Sequence, residues 1–87
     1  MRTYALGSGA RSPFGDVKSR EEVDVIRRCV ESLPDLQKKT FILRYFQELK
    51  LSEIADMENC SLGTIKASLF RATQAVRRSL RKLRGLS

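Results

Sequence analysis

From Asn59 to Ser87 the chain carries seven basic side chains, Lys66, Arg71, Arg77, Arg78, Arg81, Lys82 and Arg84, and no aspartate or glutamate. The preceding 58 residues hold ten basic and ten acidic side chains, so the entire net charge of +7 lies in the last third. A solvated helix face normally mixes the two signs, whereas a single-sign stretch suits the holding of a polyanion. Nucleic acid is the first candidate and an anionic membrane surface the second.

Other chemistry is poorly provided for. There is no histidine, and the two cysteines, Cys29 and Cys60, stand 31 positions apart without a CxxC pair. A structural zinc finger is thereby excluded, and both thiols are expected to act as small apolar side chains in a reducing compartment. The chain has neither a glycine-rich phosphate loop nor clustered catalytic carboxylates, so no enzyme activity, metal or cofactor is expected. No apolar run reaches the roughly 18 residues of a membrane span, and the start lacks a signal-peptide core, which predicts a cytoplasmic protein.

The elements that would position these cations follow from the apolar spacing. A length of 87 residues allows one small domain, and an apolar fraction of 41% is ordinary for a folded one. Residues 1–18, "MRTYALGSGARSPFGDVK", have no sustained periodicity and hold three of the five glycines, so they are expected to form a flexible leader to a domain at 19–87. Ser19 followed by Glu22 has the capping-box spacing that opens a helix. Val23, Ile26, Val30 and Leu33 then give that helix one apolar face. Pro34 suits the first turn of a second helix, with Ser32 as its cap and Asp35 near its positive end. This helix, running to Glu48, is rich enough in Leu36, Phe41, Ile42, Leu43, Tyr45, Phe46 and Leu49 to be the central one. A short third helix, Ser52 to Glu58, turns Ile54, Ala55 and Met57 inward, and Asn59 ends it in a left-handed conformation. Ser61 caps a long fourth helix whose apolar residues Leu62, Ile65, Leu69, Ala72, Val76, Leu80 and Leu83 step by three or four throughout. The fold class is therefore all-α, a four-helix domain ending in a helix-turn-helix with a long C-terminal recognition helix.

A helix-turn-helix lays its second helix in the DNA major groove and its first across the backbone. With Ile65, Leu69 and Ala72 inward, the outward positions near the start of the fourth helix are Lys66, Ala67, Ser68, Phe70 and Arg71. Lys66 and Arg71 can reach phosphates or guanine edges, Ala67 permits close approach or touches a thymine methyl, and Phe70 packs on thymine methyls or deoxyribose. The free backbone N–H groups at Ser61, Leu62 and Gly63 form a phosphate seat. Arg77, Arg78, Arg81, Lys82 and Arg84 surround the helix further along and are expected to make sequence-independent phosphate contacts or to remain solvated.

The stretch "LPDLQKKTFILRYFQELKLSEIADMENCSLGTIKASLFRA", Leu33 to Ala72, resembles the fourth domain (region 4) of bacterial sigma factors, in particular the extracytoplasmic-function group of the sigma-70 family. The resemblance rests on Leu33-Pro34 opening a helix, "FILRYF", "SEIAD" and "GTIKASLFRA", and extends from about Ser19 to Leu83. It implies recognition of the −35 promoter element in duplex DNA, docking on the β-subunit flap of RNA polymerase core, and in some members an anti-sigma factor. By position it carries base-edge and backbone contacts to Lys66, Ala67, Phe70 and Arg71, and phosphate contacts to Ser61, Leu62, Gly63 and Thr64. The family often has glycine where Glu48 stands, a serine cap where Lys50 stands, and arginine where Ser68 and Thr73 stand. A complete sigma factor also needs a preceding domain that melts the −10 element, which 18 residues cannot supply. Two other readings stay open: a response-regulator type helix-turn-helix activator, and a sigma-like interaction module that binds an anti-sigma factor or polymerase instead of DNA.

Overall fold

The computed structural model describes residues 19–85; the leader expected at 1–18 lies outside the described residues. Among the described residues the regular elements are four helices, α1 (Arg20–Glu31), α2 (Asp35–Tyr45), α3 (Leu51–Glu58) and α4 (Leu62–Leu83). The all-α, four-helix expectation is met.

Each boundary has a local cause. Ser19 Oγ accepts from the Glu22 amide at 3.0 Å, and Glu22 Oε1 accepts from the Ser19 amide at 3.3 Å, so the capping box forms as the spacing predicts. Ser32, expected to cap α2, instead closes α1: its hydroxyl donates to the Cys29 carbonyl at 2.8 Å. Pro34 itself is the N-cap of α2, where its missing N–H costs nothing. α2 stops at Tyr45, three residues before Glu48, because Glu48 takes a left-handed conformation with φ 57°. That backward turn lets the Leu49 amide reach the Leu43 carbonyl at 3.0 Å and folds the chain back over the end of α2. α3 lacks a hydroxyl cap, since an ammonium cannot accept, but Glu53 accepts from the Lys50 amide at 2.8 Å and supplies half of a capping box. Asn59, φ 56° and ψ 46°, ends α3 as expected, and Ser61 Oγ caps α4 through the Thr64 amide at 3.1 Å.

Glu48 carries a Cβ in a conformation that costs a non-glycine residue roughly 1–2 kcal/mol. Glu48→Gly is expected to raise stability by about 0.5–1 kcal/mol, part of the relief being offset by the greater freedom of an unfolded glycine. The urea midpoint measures it; an unchanged or lowered midpoint would show that the turn is not strained.

The core has two parts. Ile26 and Val30 of α1, Phe41 of α2 and Ala72, Val76 and Leu80 of α4 form the larger cluster. Ile54 and Ala55 of α3 with Ile65 of α4 form a smaller one, flanked by Leu36 and Leu43 of α2. The sequence pattern nominated α2 as the central helix. In the fold α4 has that place, packed against all three others and most extensively against α1 and α2. Small side chains explain it: Ala72 and Val76 allow neighbouring backbones to come close, so α4 buries a line of modest residues under two helices at once. Met57, expected inward, is 60% exposed.

Candidate nucleic-acid interface

The turn Asn59–Ser61 delivers the chain from α3 into α4 with no added length, and the small core cluster fixes the two helices against each other. α4 spans 22 residues, about 33 Å at 1.5 Å per residue, and its buried line Ile65, Ala72, Val76 and Leu80 commits the opposite side to solvent.

Along that outer side Gly63, Ala67, Phe70 and Gln74 follow at intervals of four, three and four, and all are exposed. Helical geometry puts Lys66 and Arg77 on one flank of this line and Arg71 and Arg78 on the other. The surface shape agrees. Phe70, 63% exposed, stands as a ridge between two shallow grooves. One is bordered by Arg71, Ala75, Arg78 and Lys82, the other by Tyr45, Leu51, Lys66 and Thr73.

At the start of α4 the residues Ser61, Leu62, Gly63 and Thr64 are all exposed, with Leu62 41% open to solvent. The Thr64 amide is occupied by the Ser61 hydroxyl at 3.1 Å, while the Leu62 and Gly63 amides belong to the first turn, whose N–H groups have no intrahelical acceptor. The positive end of the helix dipole lies there, Lys66 follows in the second turn, and no acidic residue stands in the first turn.

One expected contact residue does not reach this surface. Ser68 is only 6% exposed, because it stands three residues after Ile65 and four before Ala72 and so shares their buried side. Its polar character suggested solvent, but its spacing decided otherwise. Thr73 borders one groove but is half-buried, and its hydroxyl already donates to the Leu69 carbonyl at 2.6 Å. Gln74, which composition did not single out, occupies the outer line one turn beyond Phe70, and the same spacing rule was the signal for it.

Five of the charges on this surface are uncompensated. The Arg84 guanidinium meets Glu22 at 2.7 Å, joining the end of α4 to the start of α1. Lys66, Arg71, Arg77, Arg78 and Lys82 have no carboxylate within salt-bridge distance among the described residues. Among those residues there is also no cluster of three or more potential metal ligands, and no helix is long and apolar enough to cross a membrane.

A capped helix-turn-helix whose second helix presents unpaired cations on both flanks of an open face places this domain in the helix-turn-helix class. Residues 24–76 match the family Sigma-70, region 4. The chain is 35% identical over 71 residues to the ECF RNA polymerase sigma factor SigW of Bacillus subtilis, an alignment covering 82% of this chain and 38% of that protein. It is 32% identical over 65 residues to the ECF RNA polymerase sigma-E factor of Escherichia coli, covering 75% of this chain and 34% of that one. To the RNA polymerase sigma-H factor of Pseudomonas aeruginosa it is 29% identical over 65 residues, covering 74% and 34%. The chain belongs to the sigma-70 region 4 family, in its extracytoplasmic-function branch, and spans less than two fifths of the length of these relatives.

Proposed function

We propose that residues 19–87 act as a promoter-binding domain that recognises the −35 element of duplex DNA and directs RNA polymerase in transcription initiation, in the cytoplasm and without chemistry of its own. The observation that carries this reading is the set of unpaired cations Lys66, Arg71, Arg77, Arg78 and Lys82 about the open face of a helix that has no acidic residue. Ser61, Leu62, Gly63 and Thr64 seat one phosphate at the dipole end, Lys66 and Arg71 face the groove walls and floor, and Arg77 and Arg78 hold the backbone further along. Ser68 is withdrawn from this list because its burial keeps it from any base. RNA polymerase core, through the β-subunit flap, is the proposed second partner, and an anti-sigma factor a third; the relatives' names as polymerase sigma factors support the first of these.

Fluorescence anisotropy of a labelled promoter-like duplex, titrated with the 87-residue chain at rising salt, tests the reading. With about five phosphates neutralised, the logarithm of affinity is expected to fall against the logarithm of salt with a slope of roughly −4 to −6. No binding at low salt would defeat the promoter-binding reading and leave the protein-interaction module as the surviving one.

A further inference from the structure

The middle of the exposed α4 face is uncharged where it would meet the floor of the major groove. Gly63, Ala67 and Phe70 carry no side-chain donor or acceptor, and the nearest cations, Lys66 and Arg71, lie on opposite flanks. Ser68, the one hydroxyl of the second turn, is withdrawn into the core. Hydrogen-bonded base readout is therefore confined to the edges of the face. What the centre offers is a methyl-sized side chain next to a ring that stands clear of the surface. In the major groove the matching apolar feature is the C5-methyl group of thymine, which lies on the groove floor and has no counterpart on cytosine, adenine or guanine.

Resting on the promoter-binding reading, we infer that Ala67 and Phe70 make this domain a reader of pyrimidine C5-methyl groups. Lys66 and Arg71 draw the duplex in from either side, and sequence preference at the centre comes from apolar contact with methyls instead of hydrogen bonds. Charge complementarity selects duplex DNA as the occupant, since the flanking cations are unpaired and a partner protein's apolar surface would leave them so. The contact does not distinguish a thymine methyl from the methyl of 5-methylcytosine, because both project from C5 into the same groove. The domain is therefore sensitive to cytosine methylation at central positions of its site.

The test uses the intact chain and three duplexes built on one sequence, the one it binds most tightly in a selection from random duplexes. The first duplex is unmodified; the second has deoxyuridine for each thymidine; the third has 5-methylcytosine for each cytosine of the second. Deoxyuridine keeps every hydrogen-bonding atom of thymine and removes only the methyl. Affinity is expected to fall about fourfold for each contacted methyl lost, the value of one buried methyl-sized group. Where a cytosine occupies a contacted position, the third duplex is expected to recover affinity. Phe70→Ala, which keeps Ala67, should discriminate between the first two duplexes less than the wild type does, and because Phe70 is 63% exposed this variant should melt at the wild-type temperature. Equal wild-type affinity for the first two duplexes, with the salt dependence intact, would overturn methyl reading and leave promoter binding standing. Absence of binding to any duplex at low salt would overturn both. Discrimination that persists undiminished in both Phe70→Ala and Ala67→Gly would overturn the assignment to these residues.

Discussion

Phe41→Ala is expected to lose about 3–5 kcal/mol and to leave the domain largely unfolded in water at 25 °C. Phe41 is fully buried in α2 and belongs to the cluster that joins α1 to α4. Its ring meets Tyr45 edge-on, with centroids 4.9 Å apart, and Phe46 at 6.3 Å. Removing it takes a whole ring out of the centre of this cluster. The same helix sends Leu36 and Leu43 to the second cluster, so a displaced α2 also loosens α3 against α4. A domain of this size commands only about 0.05–0.15 kcal/mol per residue, so the loss is comparable to its whole stability. Far-UV circular dichroism through a urea titration measures it. A cooperative transition with nearly the wild-type midpoint would refute the placement of Phe41 at the centre of the core. The buried Phe41 and the exposed Phe70 make a natural pair: Phe41→Ala is expected to remove the fold, while Phe70→Ala leaves the fold and alters only what the surface touches.

That contrast shows where the sequence was informative. Signals whose partners lie within four residues were legible: Ser19 with Glu22, Ser61 with Thr64, and Asn59 in the left-handed region all formed as their spacing required. The end of α2 was not legible, because glutamate favours helix and only the tertiary pull on Leu49, packed beside the small cluster, forces Glu48 into the left-handed turn. Met57 was misplaced for a related reason. α3 is a two-turn helix that turns Leu51, Ile54 and Ala55 to the small cluster, and Met57, two residues or about 200° past Ala55, falls on the far side from it. Ser68 shows the opposite error, in which side-chain polarity was weighted above helical register. In a small domain a serine adjacent to Ile65 and Ala72 is simply part of the packed side. The cationic surface was visible as composition alone, but the division of its cations between two flanks, and the uncharged line of Gly63, Ala67, Phe70 and Gln74 between them, needed the buried line of α4 to be fixed first.

Arg71 and Arg78 belong to the same flank of α4, seven residues or about 10 Å apart, and that separation gives them different expected roles. Arg71 stands next to Phe70 in the third turn, within the part of a recognition helix that enters the major groove, where a guanidinium can pair bidentately with guanine O6 and N7. Arg78 stands two turns further along, beside Lys82, where a helix leaving the groove passes the backbone. Arg71→Ala is therefore expected to weaken binding to the preferred duplex by about 1–3 kcal/mol and to flatten preference at one base pair. Arg78→Ala should weaken preferred and scrambled duplexes alike and reduce the magnitude of the salt slope by about 1. Both side chains are exposed and have no carboxylate partner among the described residues, so neither substitution should shift the melting temperature and the binding change is free of a folding component. Measuring both variants on both duplexes at two salt concentrations separates the roles. If Arg71→Ala lost affinity equally on both duplexes, Arg71 would be a backbone contact and guanine readout on this flank would fall. If neither variant lost affinity, α4 would not be the surface that meets DNA.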